Sequence, residues 1–200
     1  MKIGVLALQG DFAAHTRAFA RLGVEAVEIR KPAELDGVDG LVIPGGESTT
    51  LLKLMAEGFP AALGAFHAAG RPIYGTCAGL ILLAREVVAP GQSSLGLVDV
   101  TVERNAYGRQ RESFEAQGEA RLDGRLIALP MVFIRAPRIV RVGSRVTTLA
   151  TWRGEPVLVR EGRTLAGSFH PELTDDLAVH RYFRDLVGAS PAPLPGERVR

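Results

Sequence analysis

The sequence predicts an α/β fold: a three-layer sandwich with a mainly parallel central sheet flanked by helices, plus antiparallel strands in the second half. Three observations predict it. Short apolar strands alternate with helical stretches from residue 2 to about residue 86. Strand-like runs separated by Gly, Pro and charged turns dominate from Leu95 to Phe169. A last helical stretch runs from about Asp175 to Val187.

Taken in order, Lys2–Leu8 is a short apolar strand. Asp11 caps a helix through Leu22, with Phe12, Phe19 and Leu22 at helical spacing and Gly23 as its stop. Val24–Arg30 alternates like a strand, and Gly40–Pro44 is another. A Gly-Gly turn then leads into a helix from about Ser48 to Glu57, with Ser48 or Thr49 as its N-cap. Pro60 begins a helix ending near Gly70, Pro72–Thr76 is a strand, and Ala78–Glu86 a helix. The second half should supply strands at Leu97–Val102, Leu126–Leu129, Val132–Ile134, Val146–Trp152, Pro156–Arg160 and Leu165–Ser168. Residues 1–187 read as one domain. The tail 188–200, with Pro191, Pro193 and Pro195, reads as loose.

Composition narrows the function. Two hundred residues, 46% hydrophobic and 23% charged, describe a globular chain. A single cysteine, Cys77, excludes an internal disulfide and a Cys-rich zinc site. No apolar run reaches the ~18 residues of a membrane span. The N-terminus lacks the features of a signal peptide, so the expected location is cytoplasmic and no membrane contact is expected. All the basic residues except Lys2, Lys31 and Lys53 are arginines, but the net charge is only +2. No basic block with interleaved aromatics is present, and nucleic-acid binding is not expected.

The chemistry centres on Gly75-Thr76-Cys77-Ala78-Gly79, a G-x-C-x-G pattern between a strand and a helix. A nucleophile elbow requires that order, and its tight turn requires small flanking residues. The cysteine would sit at a helix N-terminus, which favours thiolate over thiol. The amide of Ala78 could donate to an oxyanion. By itself Cys77 could equally be a buried small hydrophobe, because a nucleophile needs a base and the base needs an orienting group. His15 and His67 lie in alanine-rich helical stretches and His180 in the last helix, where each reads as a surface or packed residue. His170 differs. It follows an apolar strand and precedes Pro171-Glu172, so the chain is restrained and Glu172 is placed to hold the ring. A second turn, Pro44-Gly45-Gly46-Glu47-Ser48-Thr49, joins a strand to a helix and could supply another oxyanion amide.

These stretches, with Leu6-Ala7-Leu8-Gln9-Gly10, Arg104-Asn105-Ala106-Tyr107-Gly108-Arg109-Gln110, Ser113-Phe114, Phe133-Ile134-Arg135-Ala136-Pro137 and Phe169-His170-Pro171-Glu172-Leu173, carry a specific resemblance. The chain resembles the class I (triad-type) glutamine amidotransferases. Within them it is similar to the family of glutaminase subunits of pyridoxal 5′-phosphate synthase. The resemblance spans about residues 1–187. It implies that Cys77 attacks the side-chain amide of L-glutamine, that His170 moves the proton, and that Glu172 orients His170. It implies an oxyanion hole from the Gly46 and Ala78 amides. Gly46, Glu47, Ser48, Arg104, Ile134 and Arg135 would bind glutamine, and which arginine takes the α-carboxylate stays open. No cofactor and no metal are implied. Ammonia would pass to a partner synthase, a (β/α)8 barrel in this family, and docking of that partner would activate the glutaminase. Gln9 and Gly10 are candidates for sensing it. Tyr107 departs from the family's usual phenylalanine. The alternative is a glutaminase serving another ammonia-using synthase, such as imidazole glycerol phosphate synthase.

Overall fold

The computed structural model describes residues 1–55, 58–104, 106 and 113–189. Strand β1 (Lys2–Leu6) leads to helix α1 (Phe12–Arg21), β2 (Glu25–Ile29) and, after a 3-10 turn at Pro32–Gly37, β3 (Gly40–Ile43). Helices α2 (Ser48–Leu54) and α3 (Phe59–Ala68) precede β4 (Ile73–Thr76), and α4 (Ala78–Leu83) follows it after one residue. Then come β5 (Ala84–Val88), β6 (Val98–Glu103), β7 (Ser113–Leu122), β8 (Arg125–Ile134), β9 (Arg138–Val142), β10 (Thr147–Trp152), β11 (Glu155–Glu161) and β12 (Thr164–Gly167). A 3-10 turn at Pro171–Leu173 and helix α5 (Ala178–Gly188) complete the order.

A nine-stranded sheet runs β2-β1-β3-β4-β12-β11-β10-β7-β8. Its first five strands are parallel. From β12 onward each neighbour is antiparallel. The period-2 alternation of the parallel strands sends side chains to both faces, and both are covered. Ile3, Val5, Val42, Tyr74 and Leu165 share one buried cluster with Phe19 of α1 and Phe183 of α5. Leu6, Leu41, Ile43, Ile73 and Ala166 share the other with Leu51, Leu63 and Leu80 from α2, α3 and α4. These are the three layers expected. Among the described residues no helix is long and apolar enough to cross a membrane.

Local chemistry explains the element ends. The Asp11 carboxylate accepts from the Ala14 amide at 3.0 Å and caps α1 as expected. Helix α2 is capped by neither Ser48 nor Thr49. Glu47 is its N-cap, accepting from the Thr50 amide at 2.7 Å. Its last regular residue is Leu54, and the Ala56 and Glu57 end of the expected helix lies outside the described residues. The helix expected over Ala78–Glu86 stops at Leu83, and Ala84–Val88 turns into β5, which joins β6 and β9 in a second, three-stranded sheet. The two runs expected at Leu126–Leu129 and Val132–Ile134 are one strand, β8, continuous through Pro130. Since β8 is the sheet's edge, proline's missing N–H interrupts no ladder on the open side. Residues 190–200, which include the three prolines of the tail, lie outside the described residues.

Candidate active site

Four adjacent parallel strands deliver the site at their C-terminal ends, where open α/β sheets bind ligands. The segment after β1 carries Gln9 and Gly10, and that after β3 carries Gly45, Gly46 and Glu47. Cys77 follows β4 and His170 follows β12. The last two strands are direct neighbours in the sheet, and the Cys77 amide donates to the Gly167 carbonyl at 2.8 Å.

Cys77 sits on the elbow that its sequence demanded. Its φ is +49° and ψ −100°, a conformation sparsely occupied by L-residues and held here by its surroundings. The flanking glycines are required by contact. A β-carbon at Gly75 would lie 2.6 Å from the Gly79 carbonyl carbon, and one at Gly79 would overlap the Ile43 carbonyl oxygen. The Cys77 thiol points toward the Ile134 carbonyl, 3.9 Å away.

His170 is anchored by its own amide, which donates to the Val132 carbonyl at 2.8 Å, and by Phe169, buried against Phe133. Its Nδ1–H donates to Glu172 Oε1 at 2.8 Å. Nε2, on the far side of the ring, is buried and bonds to no nitrogen or oxygen among the described residues. Burial pushes the imidazole's pKa down, but the Cys77 sulfur on one side and the Glu172 carboxylate on the other outweigh it, raising the value to about 10. Glu172 is buried, which by itself would raise its pKa. His15 and His170 beside it reverse that and hold the carboxyl well below the usual range. The result is an ionised carboxylate fastened to a protonated imidazole that stands beside the Cys77 sulfur, an arrangement suited to a cysteine nucleophile and its base.

The cleft in front of Cys77 has a volume of about 290 Å³. Of the residues expected to bind glutamine, Gly46, Glu47, Ser48, Arg104, Ile134 and Arg135 all line it. Glu172 and Ala78 stand behind its wall, fully or almost fully buried. Arg104 Nη2 pairs with Glu47 Oε1 at 3.5 Å. The Thr49 hydroxyl, with the Thr50 amide, lowers the Glu47 pKa to about 2 despite the cost of partial burial. Ser48 is engaged elsewhere, donating to Gln92 Oε1 at 2.8 Å. Arg135 takes a φ of +42° and is exposed. Gln9 and Glu47 are joined by two hydrogen bonds, Gln9 Nε2 to the Glu47 carbonyl and the Glu47 amide to Gln9 Oε1, both 3.2 Å. Asn105 and the Tyr107–Gln110 part of the arginine-rich stretch lie outside the described residues.

Sequence reasoning passed over two features. Gly45 abuts both Cys77 and His170. His15 and His180, read as surface or packed histidines, are fully buried, and His15 Nε2 lies 3.4 Å from Glu172 Oε2. Neither imidazole could be placed from spacing, because α1, α5 and the turn after β12 meet only in the folded chain.

The chain is similar to known proteins over most of its length. Residues 5–188 match the SNO glutamine amidotransferase family. The pyridoxal 5′-phosphate synthase subunit PdxT of Geobacillus kaustophilus is 53% identical over 188 residues, 94% of this chain and 95% of the relative. The protein of the same name from Thermotoga maritima is 51% identical over 188 residues, 94% of this chain and all of the relative (100%). A crystal structure of a glutamine amidotransferase, 50% identical, has a TM-score of 0.87 and covers 94% of this chain and 99% of that one.

Proposed function

The chain belongs to the SNO glutamine amidotransferase family, and from that premise we propose that it hydrolyses L-glutamine to L-glutamate and ammonia for a synthase that makes pyridoxal 5′-phosphate. Cys77, His170 and Glu172 form its triad. With its proton taken up by His170 Nε2, the Cys77 sulfur attacks the side-chain amide carbon, and the amide oxygen takes up negative charge. Amide N–H groups of Ala78 and Gly46 are assigned to that oxygen, because each follows a strand that ends at the cleft. His170 passes its Nε2 proton to the departing ammonia as the thioester forms. It then takes a proton from water, which attacks the thioester and releases glutamate. Glu172 keeps Nδ1 protonated throughout. The observation that carries this reading is the 2.8 Å bond from His170 Nδ1 to Glu172, with Cys77 on the end of the adjacent parallel strand.

For the substrate, the reading assigns Arg104 to the α-carboxylate. Its planar guanidinium is mostly buried in the cleft wall and can donate two parallel hydrogen bonds. The ionised Glu47 beside it complements the α-ammonium group. Residues 1–187 act as one catalytic unit, which is supported by one nine-stranded sheet that joins β1–β4 to β7, β8 and β10–β12. The partner is read as a (β/α)8-barrel synthase and the location as cytoplasmic. Direct transfer suits the chemistry, since ammonia free in water protonates and ceases to be a nucleophile. The names of the relatives favour this partner over an imidazole glycerol phosphate synthase.

The test is glutamine hydrolysis by the chain with and without the barrel synthase, alongside labelling by an electrophilic glutamine analogue. The wild-type chain should turn over glutamine with the synthase present and take up one label on Cys77. Cys77→Ser should do neither. Hydrolysis by Cys77→Ser at the wild-type rate would overturn the mechanism.

A further inference from the structure

Two imidazoles continue the line of the triad away from the cleft. Glu172 Oε1 accepts from His170, and its other oxygen faces His15 Nε2 at 3.4 Å, with both side chains almost completely buried. The Thr76 hydroxyl is also 3.3 Å from His15 Nε2. The opposite ring nitrogen, His15 Nδ1, lies 3.0 Å from His180 Nε2. His180 is fully buried on α5, and its Nδ1 has no hydrogen-bond partner among the described residues.

The carboxylate decides one proton of this row. A carboxylate only accepts, so His15 must present an N–H at Nε2, because a bare lone pair there would face a negative charge at low dielectric. The 3.0 Å contact between His15 Nδ1 and His180 Nε2, with one proton between the two nitrogens, holds the His15 ring from behind. Burial, the neighbouring His15 and, more weakly, Arg21 lower the His180 pKa to about 3 against the pull of Glu172, so the ring is neutral.

We propose that His15, backed by His180, is a positioning residue that fixes the Glu172 carboxylate and through it the orientation and Nδ1–H tautomer of His170. The inference rests on the triad reading above. Glu172 Oε2 is buried and makes no hydrogen bond among the described residues, so the charged contact with His15 is what faces it; without an N–H at position 15 the carboxylate is free to rotate off His170. Partners at this remove, which orient a working side chain without touching substrate, typically contribute on the order of 10- to 100-fold.

The experiment compares His15→Leu, His15→Gln and Cys77→Ala with wild type, each assayed with the synthase partner. His15→Leu should lower kcat about 10- to 100-fold while leaving the KM for glutamine essentially unchanged. His15→Gln restores an N–H near the Nε2 position and should recover most of the lost kcat. A purely structural role would lower Tm in both variants and leave the folded enzymes at wild-type kcat. Nitrogen-15 NMR of the wild-type chain gives a second readout that needs no variant: His15 should carry a proton on Nε2. Wild-type kcat in folded His15→Leu, or a His15 Nε2 without a proton, would overturn the inference. Glutamine hydrolysis surviving in Cys77→Ala would instead overturn the triad reading beneath it.

Discussion

Gly45 lies flat against the imidazole of His170. A β-carbon at position 45 would overlap His170 Cε1, come within 3.0 Å of Nδ1, and sit 3.2 Å from the Cys77 β-carbon. None of these atoms belongs to the free end of a flexible chain, so the ring itself must move. Gly45→Ala should therefore disable the triad. A misplacement of about 1 Å in a catalytic group can lower the rate by about 10²-fold, and a loss of that size in kcat is expected with the variant still folded. Glutaminase assays paired with thermal melts check it.

The protonation of His170 ties stability to pH. Its folded pKa, about 10, stands above the ordinary 6.5. A group raised on folding contributes its full stabilisation below its unfolded pKa and loses it as pH climbs through the folded one. The stability difference between wild type and His170→Gln should therefore be greatest below about pH 6.5 and shrink toward pH 10. Urea unfolding across that window measures it. Removing the thiol in Cys77→Ala takes away one of the two causes and should lower the His170 pKa in an NMR titration.

Gln9 holds the turn that follows β3. Its amide exchanges hydrogen bonds with both the N–H and the carbonyl of Glu47, one residue beyond the Gly46 amide assigned to the oxyanion. Gln9→Ala should loosen that turn and lower kcat without much change in KM. Complete loss of one oxyanion donor lowers the rate by ~10²–10³, and that range sets the upper bound. Steady-state kinetics with the synthase present decide it.

Arg104 offers a contrasting signature. A charge-assisted hydrogen bond contributes about 1.5–3 kcal/mol, so Arg104→Ala should raise the KM for glutamine by about 10- to 100-fold. Its effect on kcat should be smaller. A change confined to kcat would remove Arg104 from glutamine binding.

Much of this architecture could be read before folding. Gly, Pro and capping residues punctuate the first half, and the elbow and the His-Pro-Glu turn are local patterns whose geometry follows from adjacent residues. The misses share a physical cause. Ala84–Val88 follows α4 with no Gly or Pro between them, so only pairing with β6 makes it a strand. Strand β7 alternates cleanly, but its inward residues include Ala116, Gly118 and Ala120, too small to mark an apolar face. Strand β9 opens on Arg138 and carries Arg141 within a five-residue run, leaving little apolar signal. His15 and His180 meet across the fold, and no spacing in the sequence encodes their contact.

The insertion of β12 between β4 and β11 also bears on biosynthesis. Contacts between chain segments far apart in sequence form slowly, and this strand brings its residues to a sheet position opened long before by β4. A nascent chain leaving the ribosome thus displays Cys77 well ahead of His170. Under the proposed mechanism ammonia release waits until the centre of the sheet closes, and a translation product truncated before His170 should be inert toward glutamine.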